Sequence, residues 1–175
     1  MRTKKFNQFK YYLLDCDGVV LDSNEIKSTA FFQTTQSYGE KEAQALVTYH
    51  QENAGLSRYK KFHYFFTEIL HFKGDYEFEY NNCLQKFEQL VAEKLPSAPI
   101  TEGFTEFINS LPADAIKILV SGAPEAELKK LFPLKKLDHY FHQIKGSPRS
   151  KPEIIRELRA TYTLTSEETL FIGDG

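Results

Sequence analysis

Asp15-Cys16-Asp17-Gly18 follows an apolar run, Tyr11-Tyr12-Leu13-Leu14. The run has the make-up of a buried strand, and on a strand residues i and i+2 share a face, so both carboxylates point the same way. At the carboxyl end of a strand in an α/β sheet, that direction is the crevice where such sheets bind ligands. Two like charges held close are unfavourable unless a cation or a proton lies between them. The pair therefore asks for a divalent metal. Three further strings have matching chemistry. Val120-Ser121-Gly122-Ala123-Pro124 reads as a strand running into a helix amino terminus, where free N–H groups and the helix dipole favour an anion. The Ser121 hydroxyl adds a donor suited to a phosphate oxygen. Ser150-Lys151-Pro152-Glu153 starts a helix with a lysine, and Phe171-Ile172-Gly173-Asp174-Gly175 ends a strand with an acid. Each string alone is a weak signal. Together they predict a metal, an anion site and a lysine near both, without saying which aspartate reacts.

The elements that must position these residues are legible from periodicity. Apolar spacing predicts helices over 24–38, 40–52, 57–72 and 76–94, the third carrying Phe62, Phe65, Phe66, Ile69 and Leu70, the fourth Cys83, Leu84, Phe87, Leu90 and Val91. Breaks fall at Gly39, Gly55, Gly74 and Pro96-Ser97-Ala98-Pro99. The dense aromatics of this block read as a small helical core. After the prolines the pattern alternates: helix 101–111, strand 116–120, helix 124–132 with Pro124 as its first residue, strand 140–144, helix 151–161 and strand 169–172. Strands alternating with helices predict an α/β fold with a parallel sheet. On this reading residues 1–21 and 99–175 form a Rossmann-like core, and 22–98 form a helical cap inserted over the carboxyl end of the sheet.

Composition bounds the function class. A chain of 175 residues, 41% hydrophobic and 26% charged, has the make-up of a soluble globular protein of one domain, or one domain with a modest insertion. A net charge of −2 gives no reason to expect nucleic acid or an anionic membrane as a partner. No stretch has the length of a transmembrane helix, and none reads as a secretory signal. Cys16 and Cys83 are too few for a disulfide framework, which fits a reducing, cytoplasmic compartment. Cys16 reads as a small buried residue. His50, His63, His71, His139 and His142 lack metal-ligand spacing and read as surface or helix-flank residues.

The order of the four strings resembles the haloacid dehalogenase superfamily of phosphotransferases, over nearly the whole chain. Asp15-Cys16-Asp17-Gly18-Val19-Val20-Leu21-Asp22-Ser23 is similar to the branch with a helical cap after the first motif, to which phosphoglycolate phosphatase and β-phosphoglucomutase belong. The resemblance implies a role for each residue. Asp15 is the nucleophile that forms an aspartyl-phosphate, and Asp17 is the general acid and then the base for water. Ser121 and Gly122 hold the phosphoryl oxygens, and Lys151 neutralises charge between nucleophile and phosphoryl group. Mg²⁺ is held by the Asp15 carboxylate, the Asp17 carbonyl and the Asp174 carboxylate, with water completing its shell. The implied substrate is a small phosphorylated metabolite.

Gly55-Leu56-Ser57-Arg58 resembles the substrate-specificity loop of the mutase branch, which implies that Arg58 grips a second anionic group on the substrate. A sugar-phosphate mutase is an alternative activity, but Lys27 stands near the place where the mutase has a histidine, which favours a phosphatase. The family pattern continues past the last acid with a further acid, then a helix, a last strand and a last helix, and that segment is missing from the sequence. Strand 169–172 would then be an edge that invites pairing with another chain. A further alternative is an impaired member that binds a phosphorylated ligand or assembles with a partner. A signalling receiver domain is disfavoured, because it places its aspartate on a middle strand and lacks the large insertion.

Overall fold

Four parallel strands form one sheet: β1 (Tyr11–Leu14), β2 (Ile116–Pro124), β3 (Gln143–Ser147) and β4 (Thr169–Ile172), in the order β3-β2-β1-β4. The structure, a computed structural model, describes Phe6 and residues 8–174. Leu14, the last residue of β1, pairs with Leu119 on one side and Ile172 on the other. All four residues of β1 are buried, as expected of a parallel strand covered on both faces. Helix α1 (Asn24–Thr35), α2 (Glu40–Glu52), α3 (Arg58–Tyr64), α4 (Tyr76–Lys94), α5 (Phe104–Ser110), α6 (Glu125–Leu134) and α7 (Lys151–Tyr162) complete the order.

The chain divides at Asp22/Ser23 and Ala98/Pro99 into two units. In the sheet unit, Leu13, Ile118 and Val120 pack against Ile154 and Leu158 of α7. The Tyr11 hydroxyl donates to the Tyr162 carbonyl at 2.7 Å, fixing the end of α7 to the start of β1. The chain leaves and re-enters this unit side by side. Leu21 bridges Ile100, the Asp22 N–H donates to the Pro99 carbonyl at 3.0 Å, and the Thr101 N–H donates to the Val20 carbonyl at 3.0 Å. The second unit, Ser23–Ala98, is wholly helical in its regular structure and has an aromatic core. Phe31 lies 4.3 Å from Phe87 and 5.3 Å from Phe62, while Tyr38 meets Phe65 and Phe66 edge-on. Such tilted and edge-on pairs are the favoured aromatic geometry. Helix α4 starts where Asp75 accepts the Phe78 N–H at 3.1 Å, an N-cap that satisfies one otherwise unpaired donor.

Several expected boundaries move for identifiable reasons. Strand 116–120 continues to Pro124, because the end of β3 pairs beside it, Ser147 opposite Pro124. Pro124 is therefore not the first residue of a helix but the residue before α6. Strand 140–144 is displaced to Gln143–Ser147, since Asp138–Tyr140 forms a 3₁₀ turn. The helix expected over 101–111 starts at Phe104, after Gly103 turns the chain with φ of 77°. The helix expected over 57–72 begins at Arg58 and widens into a π-helical turn over Phe65–Ile69. His50 is not a surface residue: it is buried beside Phe31, whereas His63, His71, His139 and His142 are exposed. Both cysteines are free and buried. No helix among the described residues is long and apolar enough to cross a membrane.

Candidate functional site

The site in the sheet unit is built on strand ends. Asp15 is the first residue past β1, and its N–H donates to the Ile172 carbonyl of β4 at 2.9 Å, which fixes its height against the neighbouring strand. The side chain is almost fully buried, at 6% exposure for the residue. Its Oδ1 accepts the Cys16 N–H at 2.8 Å, and its Oδ2 accepts a hydrogen bond from the Lys151 ammonium. Burial pushes the Asp15 carboxyl above the ordinary carboxylate range. Lys151 and the Cys16 N–H oppose that shift without overcoming it, and the charge of Asp17 adds to it. The cost of burying the charge thus outweighs the stabilisation that Lys151 and the Cys16 N–H provide.

Lys151 reaches Asp15 because α7 starts at the right place. The Ser150 N–H and hydroxyl both donate to the Glu153 carboxylate, at 2.7 and 2.6 Å, in a capping box, and Pro152 pre-sets the first turn. The ammonium also lies 5.8 Å from the centre of the Phe171 ring on β4. Asp17 is half-buried at the start of a tight reversal. The Cys16 carbonyl accepts from both the Val20 and Leu21 N–H groups at 2.9 Å, and Gly18 occupies the left-handed region at φ of 72°. Glycine adopts that conformation without the steric penalty of a Cβ.

Ser121 lies two residues beyond Leu119, the β2 partner of Leu14, and so near the level of Asp15. It is fully buried, and its Oγ accepts the Ala123 N–H at 3.1 Å, folding the Ser121-Gly122-Ala123 segment around the hydroxyl. Asp174 lies two residues beyond Ile172, the β4 partner of Leu14, and is exposed. Among these residues, Lys151 donates directly to Asp15. Arg58 belongs to the helical unit, where it is buried with its guanidinium carbon 4.9 Å from the centre of the Phe87 ring.

Reading the sequence alone passed over the bracing of the Lys151 segment. Arg149 bridges Glu125 of α6 and Glu157 of α7, and Lys145 of β3 donates to Glu157 at 3.2 Å. Glu125 also accepts from Lys129 at 2.6 Å and from the Gly146 N–H at 3.3 Å. The Glu125–Lys129 spacing was a readable local signal, but the partners from other elements were not. Gly146 is required by close approach: a Cβ there would sit 2.3 Å from the Ala123 carbonyl oxygen. The Ser147 hydroxyl, also overlooked, is buried at the end of β3 without a hydrogen bond among the described residues.

The profile of the haloacid dehalogenase-like hydrolases matches residues 9–175. The chain belongs to that family. Solved structures agree on the fold of this haloacid dehalogenase-like hydrolase. It is similar to a predicted phosphoglycolate phosphatase from Haemophilus somnus 129PT, with TM-score 0.77 and 18% identity over 97% of this chain and 79% of that one. A predicted phosphatase from Clostridium acetobutylicum gives TM-score 0.72 at 20% identity, over 95% of this chain and 76% of that one. A HAD-superfamily hydrolase of subfamily IA from Geobacter sulfurreducens PCA gives 0.60 at 21% identity, over 99% and 81%. No curated protein matches the chain.

The donor set can be tested against the metal the family implies. Among the described residues, no three histidine, cysteine, aspartate or glutamate side chains gather into a metal cluster. Asp15 and Asp174 instead follow neighbouring strands, β1 and β4, and Asp17 lies two residues beyond Asp15, bridging Leu21. Two carboxylates and a carbonyl are all hard oxygen donors. Such a sparse set suits Mg²⁺, which keeps several waters, better than zinc or calcium, which prefer fuller protein shells.

Proposed function

We propose that this haloacid dehalogenase-like hydrolase is a Mg²⁺-dependent phosphatase of small phosphorylated metabolites, acting through an aspartyl-phosphate on Asp15. The observation that carries the reading is the buried Asp15 carboxylate bound to Lys151 at the carboxyl end of a parallel sheet. An Asp15 oxygen attacks phosphorus, the ester bond to the leaving alcohol breaks, and Asp17 gives that alcohol its proton. Water then attacks the acyl phosphate, Asp17 takes the water proton, and phosphate leaves with the Asp15 carboxylate restored. Ser121 and the main chain of Gly122 hold phosphoryl oxygens. Lys151 offsets the charge that gathers between Asp15 and the phosphoryl group. Asp15, Asp174 and the Asp17 carbonyl would hold Mg²⁺, which would supply charge neutralisation at the phosphoryl group.

Arg58 recognises a second anionic group on the substrate. Arginine suits this task through its planar pair of donors, and its stacking on Phe87 restrains the guanidinium before any ligand binds. The test is hydrolysis of p-nitrophenyl phosphate with Mg²⁺ and with EDTA, in wild type and in Asp15→Asn. Turnover that requires both the metal and Asp15 supports the reading. Substantial turnover by Asp15→Asn overturns the nucleophile assignment, and EDTA-insensitive turnover overturns the metal.

A further inference from the structure

Lys61 and His50 are two of the buried basic side chains of the helical unit that have no role in that chemistry. Lys61 is 2% exposed and His50 is 6% exposed. The Lys61 Nζ lies 2.7 Å from His50 Nδ1, 3.4 Å from the His50 carbonyl oxygen and 3.5 Å from the Ala54 carbonyl oxygen. A protonated Lys61 carries donors only, and in that state His50 Nδ1 is the acceptor. The three acceptors come from the last turn of α2 and from the segment that joins it to α3. Carbonyls in the last turn of a helix lack intrahelical partners, and a cation there suits the helix dipole. Lys61 thus closes the α2–α3 corner from the α3 side. Its charge also lies 5.7 Å from the centre of the Phe31 ring, which in turn packs 4.7 Å from the His50 ring and 4.3 Å from the Phe87 ring. Arg58 is the first residue of α3, one turn before Lys61 on the same face, and rests on that same Phe87.

We propose that Lys61 and His50 are positioning residues: their hydrogen-bonded clasp sets the α2–α3 corner and thereby holds Arg58 ready for the substrate's second anionic group. The proposal rests on the reading of Arg58 given above. A buried ammonium is a poor way to gain stability, since a well-packed apolar side chain of similar volume does as well or better. The clasp does something an apolar pair cannot: it ties three specified acceptors to one point, which fixes direction as well as distance.

The experiment uses the full chain with Mg²⁺ and two non-hydrolysable probes that differ by one carboxylate, 3-phosphonopropionate and ethylphosphonate. Binding is measured by calorimetry for wild type, Lys61→Met, His50→Leu, His50→Asn and Arg58→Ala, with amide hydrogen exchange over residues 53–58 in each. Lys61→Met keeps the packed stem but leaves three buried acceptors without their donor, so it should melt lower than wild type, and every readout is taken well below its midpoint. It should lose about tenfold of the preference for the carboxylate-bearing probe, leave ethylphosphonate binding within twofold, and exchange faster over 53–58. His50→Leu should do the same, and His50→Asn, which returns an acceptor near the Nδ1 position, should restore both readouts. Unchanged exchange over 53–58 in Lys61→Met, or equal weakening of both probes, overturns the proposal. Arg58→Ala separates the two readings: if it abolishes the preference while Lys61→Met keeps it, the clasp alone is wrong. If wild type shows no preference between the probes, the Arg58 reading fails and the proposal falls with it.

Discussion

Both units of the chain bury charge, with opposite sign and by different means. The sheet unit buries an acid, Asp15, among main-chain groups whose positions the parallel register fixes: the Ile172 carbonyl on one side and the Cys16 N–H on the other. The helical unit buries bases, Lys27, His50, Arg58 and Lys61, and holds those it holds visibly through aromatic faces and side-chain acceptors. A strand end offers a rigid, main-chain-defined height above the sheet, so one residue can be set there with few supporting contacts. A helix offers no such edge, so a charged group must be placed by packing against several helices at once. The sheet unit is accordingly built to tolerate substitution of its charge and the helical unit to resist substitution of its packing.

The sharpest test of that contrast is Asp15→Asn. Turnover should fall by about 10³-fold or more, because a nucleophile is lost rather than weakened. The thermal midpoint should stay close to wild type, since an amide keeps the acceptor for Cys16 and removes a carboxylate that burial disfavours. A large loss of stability would mean that the acid is structural and would break the comparison. In the helical unit the order reverses. Phe87→Ala empties the ring face that both Phe31 and Arg58 use, and should lower stability by about 3–5 kcal/mol in chemical denaturation. Loss of under about 1 kcal/mol would show that the aromatic cluster does not set that unit's stability.

Smaller effects probe the bracing of Lys151. Gly146→Ala forces a Cβ toward the Ala123 carbonyl and should cost about 1–3 kcal/mol, read in the same way, with hydrolysis falling as the β2–β3 end shifts. The smallest effect is in the pH dependence of Glu125. Burial alone would push its carboxyl up. The hydrogen bonds from Lys129 and the Gly146 N–H, with the charges of Lys129 and Arg149, outweigh burial and hold the carboxyl below its ordinary value of 4.5. A depressed carboxyl stabilises the folded state fully above the ordinary value, and the contribution is lost as pH falls from about 4.5 through the folded value. The loss should be about 1 kcal/mol or less for so accessible a pair. Glu125→Gln should flatten the stability profile in that window, and an unchanged profile would remove Glu125 from the bracing.

Legibility followed the range of the interactions. Helices over 40–52 and 76–94 and the strand over 169–172 were readable to the residue, because apolar period and local breaks decide them. The lysine at the helix start was readable for the same reason, since its capping signal is local. Asp15 and Asp17 follow β1 instead of lying on it, so the strand's two-residue period does not set their directions. The end of β2 was not, because Ser121-Gly122-Ala123-Pro124 resembles a helix entry on its own and stays extended through pairing with β3. His50, expected on the surface or a helix flank, lies in the last turn of α2 but is buried, since nothing near it in sequence announces Phe31 or Lys61 as its neighbours.

The sequence by itself determined which residue types stand at the strand ends and in what order, because a two-residue period and a helix cap are properties of adjacent residues. Tertiary structure alone decided that Lys151 donates to Asp15 across 136 positions. It alone decided that Arg149 joins α6 to α7, and that Lys61 meets His50 rather than water. Those contacts depend on sheet register and on helix packing, which arise only when distant segments bury their apolar faces together.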